Sequence, residues 1–389
     1  PRGLDPKDYP LSGAGPSSDL FPWQAVVDDR NVQGSTAVAV PGVVSGMGLA
    51  HERYGRKPWR ELVQPAVQLA QQGLLVDWYS GLVTASSARA LSQDPHAAAM
   101  FLDEGTWPIM GSWTSTTPRR LDQRALAVSL QHIADEGPRA LYEGSLARAL
   151  AQDVQAKGGC LAEADLAAYQ AQWVDPLTVA YRGSHLHAAP GLTGGPTFAQ
   201  ALGLLEQTFE PGGHGADARA YEALARTLAA AFRTRLSEMG DHESSKAPGC
   251  TTHFSVVDRH GNMCAVTQTL LSIFGSRVVS PSTGLLLNNG IMWFDPEPGK
   301  ANSLAPNKRV LANYCPVVGV GADGSQFAIG ASGGRKILGA VLQLSSFLLD
   351  HGMTLEQAFH QSEKRLLCAR QCLDQMVRRW RDQCGGELR

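Results

Sequence analysis

Apolar residues recur along this chain with a helical period in several segments. Between Pro58 and Gly73 they fall on one face of a helix, and the proline lies in the first turn, where a missing N–H costs little. The same spacing begins near Met47 and predicts a helix that ends near Tyr54. Further helices are predicted over residues 121–134, 138–156, 165–169, 197–208, 216–238 and 337–349.

In other segments apolar and polar residues alternate or β-branched residues are frequent, and both patterns are typical of strands. They cover residues 36–40, 177–181, 185–189, 254–257, 263–270, 284–287, 317–320 and 327–330. Turns at residues 258–262 and 323–324 join two pairs of them into hairpins, whereas residues 1–35 are predicted to be loop. Because the strands cluster without regular strand–helix–strand alternation, the pattern predicts a layered α+β sandwich.

Composition narrows the class of protein. The chain has 389 residues, 43% of them hydrophobic, and a formal net charge of -2. It is long enough for one large domain or two intimate ones, and it lacks the basic excess typical of nucleic-acid-binding proteins. No apolar run reaches the roughly 18 residues that a membrane-spanning helix needs. We therefore expect neither nucleic acid as a partner nor a membrane span.

The cysteines do not indicate a disulfide framework, since the seven of them are odd in number and scattered. Cys368, Cys372 and Cys384 lie close together in the sequence, but their spacing matches no standard zinc pattern. Free thiols are therefore expected, without a metal.

A Thr-Thr pair at residues 251–252 separates a polar connector from the strand that follows it. If the peptide bond before Thr251 were cut, the new α-amine would lie beside the hydroxyl of the same residue. An α-amine has a pKa of about 8 and acts as a general base at neutral pH, and threonine with its own amine is a known nucleophile–base pair. The alternative is that Thr251 and Thr252 merely open a strand, where threonine is common.

Ser332-Gly333-Gly334 lies at a predicted strand-to-helix junction. Two glycines leave their backbone N–H groups unobstructed, and at a helix N-terminus such donors stabilise an oxyanion. The alternative is that Gly333 and Gly334 serve only the geometry of a tight turn.

These motifs together resemble the γ-glutamyltransferase (glutathione hydrolase) family over about residues 35–360. In the second half of the chain the resemblance rests on residues 251–258, 261–262, 265–269, 274–275, 284, 287–289, 306–309 and 332–334. In the first half it rests on residues 39–42, 46, 64–66, 70, 73, 142–144, 158–159, 165–169 and 181–183.

The resemblance implies an α+β fold, the four-layer αββα sandwich of N-terminal nucleophile hydrolases. It also implies that the chain cleaves itself between Cys250 and Thr251. A large part, residues 1–250, and a small part, residues 251–389, would then stay associated as one composite domain.

The same resemblance assigns roles in an amide-cleaving reaction. Thr251 would attack the γ-glutamyl amide of glutathione or a related amide, and the acyl group would pass to water, an amino acid or a peptide. Thr269 matches a threonine that hydrogen-bonds and tunes the nucleophile, and Gly333 and Gly334 match the oxyanion-hole glycines. No metal or organic cofactor is expected, because amine, hydroxyl and backbone donors suffice for acyl transfer.

The chain departs from the family where the substrate's α-amino and α-carboxylate groups are held. Leu271 and Trp293 replace an asparagine and an aspartate, and Ala312-Asn313 replaces a pair of serines. Apolar side chains cannot hold a zwitterion, because leaving one unpaired in a pocket costs on the order of several kcal/mol. Asn313 and Ser332 remain as candidate substrate-binding residues. The pattern predicts a divergent γ-glutamyltransferase-like amidohydrolase, and an acylase specific for another acyl group is the alternative.

The resemblance raises an expectation about each end of the chain. The family's first strands and an arginine that binds the α-carboxylate would precede residue 1, and residues 361–389 form an atypical basic tail. A reading-frame change near residue 361 would explain the tail, and a divergent solvated helix is the alternative. The compartment, bacterial cytoplasm or periplasm, stays open. A catalytically inert fragment is the competing hypothesis, because a sheet without its first strands would expose unpaired edges.

Overall fold

The computed structural model describes residues 1–16, 23–110, 118–212, 215–240 and 252–361. The chain divides into two compact units, each assembled from two separate stretches. The first unit comprises Pro1–Val174 and Gln268–Leu311, and the second comprises Asp175–Thr267 and Ala312–Arg389. Among the described residues, no helix is both long and apolar enough to cross a membrane.

The described helices alternate irregularly with short strands. The α-helices are α1 (Val43–Tyr54), α2 (Trp59–Gln72), α3 (Trp78–Leu91), α4 (Pro95–Phe101), α5 (Arg124–Glu136), α6 (Gly144–Ala156), α7 (Glu163–Ala167), α8 (Gly195–Thr208), α9 (Ala218–Glu238) and α10 (Lys336–Leu349). The strands are β1 (Leu11–Pro16), β2 (Gln24–Val26), β3 (Leu74–Leu75), β4 (Leu102–Asp103), β5 (Trp107–Pro108), β6 (Arg120–Leu121), β7 (Leu177–Tyr181), β8 (Ser184–Ala188), β9 (Thr252–Val257), β10 (Met263–Gln268), β11 (Val317–Val320) and β12 (Gln326–Ile329).

The second unit is built on a four-stranded antiparallel sheet with the order β12-β11-β8-β7. Residues along β8 alternate between buried and more exposed positions, so one face of the sheet is covered. Helices α8, α9 and α10 supply the apolar side chains that cover it. The members of this core include Leu186, Phe198, Leu202, Val317, Phe327, Val341 and Phe347.

Strands β9 and β10 form a separate two-stranded sheet, joined by the turn predicted at residues 258–262. The carboxylate of Asp258 closes this turn by accepting from the backbone N–H groups of His260 and Asn262 at 2.8 and 2.9 Å. Phe254, Val256 and Val257 are exposed on β9. The strand that begins at Thr252 therefore carries apolar side chains that are largely uncovered in the described residues.

The first unit is mainly helical. Helix α2 packs along α5, and the Trp59 indole N–H donates to the carbonyl of Ile133 at 2.9 Å. The Ser129 hydroxyl of α5 donates to the carbonyl of Thr283 at 2.7 Å, which ties the helix to the later stretch of this unit. Its main core surrounds Tyr142, whose ring stacks on Tyr169 with a centroid separation of 5.6 Å.

Most predicted elements of the second unit are confirmed. The strand predicted at residues 177–181 has the same bounds in the structure, and both hairpins and helices α8, α9 and α10 lie within a few residues of their expected ends. In the first unit, helices α1, α2, α5 and α7 are also confirmed, whereas α3 and α4 were not predicted from the sequence.

Four sequence predictions are wrong. Residues 36–40 form no strand, because the side-chain amide of Asn288 binds the backbone N–H and C=O of Ala39 at 3.0 and 2.9 Å, where a neighbouring strand would pair. Residues 284–287 contribute only one isolated bridge, Val279 to Leu286. The helix predicted at 138–156 is split before Gly144, whose φ of 81° breaks the helical path. Strands β1 and β2 lie in the predicted loop.

A buried carboxylate in the second unit joins its sheet to α10. Asp350 has a side chain that is 0% exposed, and its Oδ2 accepts from the Tyr181 hydroxyl at 2.8 Å and the Ser346 hydroxyl at 2.6 Å. Arg182 Nε lies 3.1 Å from Oδ1. The same arginine also lies 3.4 Å from Glu210, whose side chain is 91% exposed.

These two partners of Arg182 give a matched test of buried against exposed charge. Asp350→Asn removes the buried negative charge and leaves Arg182 without its inner counterion, so we expect a loss of about 2–4 kcal/mol in the free energy of unfolding. Glu210→Gln should cost about 0.5 kcal/mol or less, because water screens that pair. Urea unfolding followed by circular dichroism measures the free energy of unfolding of both variants. Equal losses would contradict the conclusion that Asp350 is the more important partner of Arg182.

Candidate active site

The predicted nucleophile and the scissile bond, Thr251 and Cys250, lie outside the described residues. The next described residue is Thr252, the first residue of β9. The position assigned to the nucleophile therefore immediately precedes the strand that the sequence predicted there.

His253 is the second residue of β9 and was not singled out by sequence reasoning. Its Nδ1 lies 2.8 Å from Thr267 Oγ1 and its Nε2 lies 3.0 Å from Ser255 Oγ. Partial burial lowers the pKa of the His253 imidazole below its ordinary value, because loss of water disfavours the protonated form. A Cβ at Gly330 would overlap the ring, which explains the glycine at the end of β12.

The oxyanion candidates lie between β12 and α10. Gly333 has φ 122° and Gly334 has φ 61°, both in the left-handed range that favours glycine. Their carbonyls accept from the N–H groups of Lys336 and Ile337 at 3.1 and 3.3 Å. Neither glycine N–H donates to any acceptor in the described part of the chain. Two free donors thus stand before the N-terminus of a 14-residue helix, where the dipole favours negative charge.

The two predicted substrate-binding residues differ in environment. Ser332 is exposed, next to the oxyanion candidates. Asn313 is 2% exposed, and its side-chain Nδ2 has no hydrogen-bond partner among the described residues. A buried amide that lacks an acceptor is unfavourable by about 1–3 kcal/mol, so Asn313 calls for an explanation.

Thr269 belongs to the first unit, where Leu271 orients it. The Thr269 Oγ1 accepts from the backbone N–H of Leu271 at 2.8 Å. Within the described ranges the Thr269 hydroxyl donates to no acceptor. Because the oxygen already accepts one bond and the hydrogen is free, this hydroxyl is arranged to donate.

The departures from the family pattern are buried side chains. Leu271, Trp293 and Ala312 are 4%, 2% and 0% exposed. Leu271 also has φ 84°, a conformation that asparagine tolerates much better than leucine. None of these three side chains offers a hydrogen-bond acceptor to an α-amino group.

Each unit carries some of the predicted site residues. The second unit carries His253, Asn313, Ser332, Gly333 and Gly334, and the first carries Thr269. No group of three or more metal-ligating side chains lies together among the residues that the structure describes. Cys160, Cys264 and Cys315, the cysteines among the described residues, are free thiols.

Comparison with solved structures confirms the fold class. Cephalosporin acylase from Bacillus halodurans superposes with a TM-score of 0.71 at 22% sequence identity, over 84% of this chain and 65% of that one. Gamma-glutamyltranspeptidase from Helicobacter pylori gives a TM-score of 0.51 at 24% identity, over 60% of this chain and 67% of that one. The fold class is therefore α+β, as predicted, and this chain shares its fold with these two structures.

Sequence comparison identifies the family. The gamma-glutamyltranspeptidase family model matches residues 12–249 and 244–371. The acylase ACY 1 proenzyme of Pseudomonas sp. (strain V22) is 35% identical over 367 residues, and the glutathione hydrolase proenzyme of Escherichia coli (strain K12) is 30% identical over 380. Each match covers 85% of this chain, which spans only 64% of the length of either relative. The chain belongs to the gamma-glutamyltranspeptidase family.

Proposed function

We propose that this protein is a self-processing threonine amidohydrolase that transfers an acyl group from an amide to water or an amine. The observation that carries the proposal is the pair of free backbone donors at Gly333 and Gly334, set at the N-terminus of α10. Donors in this arrangement stabilise the negative oxygen that forms when a nucleophile attacks an amide carbonyl.

Maturation would supply the nucleophile. The Thr251 hydroxyl attacks the carbonyl carbon of Cys250, the acyl group moves from nitrogen to oxygen, and water hydrolyses the resulting ester. The products are a carboxylate at Cys250 and a free α-amine at Thr251. Residues 1–250 and 251–389 would then remain together as large and small parts. Both relatives named above are called proenzymes, which supports this step.

Turnover would use the freed amine as the base. Thr251 Oγ1 attacks the substrate amide while its proton passes to its own α-amine. Collapse of the tetrahedral intermediate breaks the C–N bond, and the proton goes to the leaving amine. Water or an amino acid then attacks the ester and releases Thr251. Thr269 would donate its free hydroxyl hydrogen to the Thr251 oxygen, which stabilises developing negative charge there.

The acyl donor is proposed to be the γ-glutamyl amide of glutathione or a related amide. A second candidate, an acylase for donors without an α-amino group, is favoured by the apolar residues Leu271 and Trp293. The relatives' names include both activities, acylase and glutathione hydrolase.

Self-cleavage tests the proposal directly. The purified chain should give two bands on a denaturing gel, with one fragment beginning at Thr251 by amino-terminal sequencing. Thr251→Ala should remain one band, because it lacks the attacking oxygen. Thr251→Ser retains that oxygen and should still cleave. An uncut wild-type chain would instead support the inert-fragment hypothesis.

Acyl preference is tested with two chromogenic donors. We expect kcat/KM values for γ-glutamyl-4-nitroanilide and glutaryl-4-nitroanilide to agree within about tenfold, because no polar side chain stands at positions 271 and 293 to hold the α-amino group. A site built around that amine would discriminate by about 10⁴-fold. Strict dependence on the α-amino group would refute the second candidate function. Thr251→Ala serves as the inactive control for both donors.

A further inference from the structure

Arg235 on α9 is a buried cation whose described acceptors are all neutral. It is 2% exposed, and its Nη1 donates to the carbonyl of Thr193 at 2.8 Å and to Thr197 Oγ1 at 3.3 Å. Its Nη2 donates to the carbonyl of Ala312. One guanidinium therefore joins the turn before α8 to the segment that contains Asn313.

Burial of this cation is unfavourable. Loss of water lowers the pKa of Arg235 to about 10, and the described acceptors of its guanidinium include no carboxylate. Most buried charges are paired with an opposite charge, whereas this one is held by backbone and hydroxyl oxygens. A residue needed only for packing would not require a charge here. The planar guanidinium of Arg235 donates to two segments at once, and this double contact indicates that its role is to hold them together.

The turn before α8 and the segment that contains Asn313 both lie close to the start of α10, and Gly194 is where they approach it. The Ala312 N–H donates to the carbonyl of Leu192 at 2.8 Å, and the Gly194 N–H donates to the carbonyl of Tyr314 at 2.6 Å. A Cβ at Gly194 would lie 2.8 Å from Leu338 Cδ2 and 3.0 Å from the carbonyl oxygen of Asn313. Leu338 belongs to the first turn of α10, directly after the oxyanion candidates. The Asn313 segment is therefore packed close to the start of that helix.

We propose that Arg235 is a positioning residue for acyl-donor binding, which holds Asn313 so that its unpaired Nδ2 donates to an oxygen of the acyl group. The inference rests on the proposed function and specifies its substrate class. A buried, unpaired amide N–H in a segment packed close to the start of α10 fits a second acceptor on the acyl chain, as in the monoamide of a dicarboxylic acid. Arg235 does not touch the substrate; it acts through Ala312.

The test compares two arginines of the same helix. Arg235→Lys keeps the charge but replaces the planar fork with one ammonium group, whereas Arg233→Lys changes an exposed residue two positions earlier. With glutaryl-4-nitroanilide and self-cleaved protein, we expect Arg235→Lys to raise KM about 10- to 100-fold with kcat within about threefold. Arg233→Lys should match the wild type. A lower melting temperature with unchanged KM would overturn the inference.

A double-mutant cycle separates positioning from a purely structural role. In an Asn313→Ala background, Arg235→Lys should no longer raise KM, because the group that it positions is absent. Additive effects would overturn the inference. If Arg235→Lys fails to fold, Thr197→Val removes one acceptor of the same guanidinium and should raise KM by a smaller factor, about two- to fivefold. An unchanged KM there would also count against it.

Calorimetric titration with glutarate distinguishes this inference from the proposed function. One outcome is that wild type and Arg233→Lys bind glutarate, Arg235→Lys binds it at least about tenfold more weakly, and no variant turns over an anilide. That outcome would support the positioning role of Arg235 and refute the enzymatic proposal. If both lysine variants turn over the anilide with the same kcat and KM, the enzymatic proposal is supported and the positioning role of Arg235 is refuted. Absence of both binding and turnover would refute both.

Discussion

The apolar contact between one face of the sheet β12-β11-β8-β7 and helices α8, α9 and α10 organises the second unit. Full burial of a Leu, Val or Phe side chain contributes about 1.5–3 kcal/mol, and this core buries many of them. The contact fixes where β12 ends and α10 begins. The free N–H groups of Gly333 and Gly334 lie in the connection between them, so an apolar core determines where the polar donors stand.

The candidate site relies on backbone geometry more than on side chains. Gly333, Gly334 and Gly330 each occupy a position where a side chain would be strained or would collide, and Leu271 adopts a left-handed conformation that places its N–H on Thr269. Backbone donors cost little side-chain entropy when they bind an oxyanion, because they are already fixed. The chemistry attributed to this family therefore needs few unusual side chains.

The spacing of apolar residues predicted the helices and strands of the second unit well. Its sheet has one buried face, so apolar residues recur at every second position in the strands and with a helical period in the helices. The prediction failed at Ala39, where the Asn288 side chain replaces a strand partner across a long sequence separation. The Gly-Gly pair was placed at a strand-to-helix junction from the sequence, and the structure has it between β12 and α10. The unpaired amide of Asn313 and the buried contacts of Arg235 were not predicted from the sequence, because burial and hydrogen-bond satisfaction depend on residues distant in the chain.

Arg235 and Asn313 are two buried donor groups, and neither has the acceptor that would fully compensate its burial. The guanidinium is a buried donor group whose described acceptors are neutral oxygens, and the amide is a buried donor without an acceptor. Both states are unfavourable in a folded chain, and core packing alone would favour an apolar residue at each position. A ligand oxygen that accepts from Asn313 would compensate the burial of its amide, and the arginine would give that ligand a fixed amide to meet. The cost of burying the two groups is then explained by binding and not by stability.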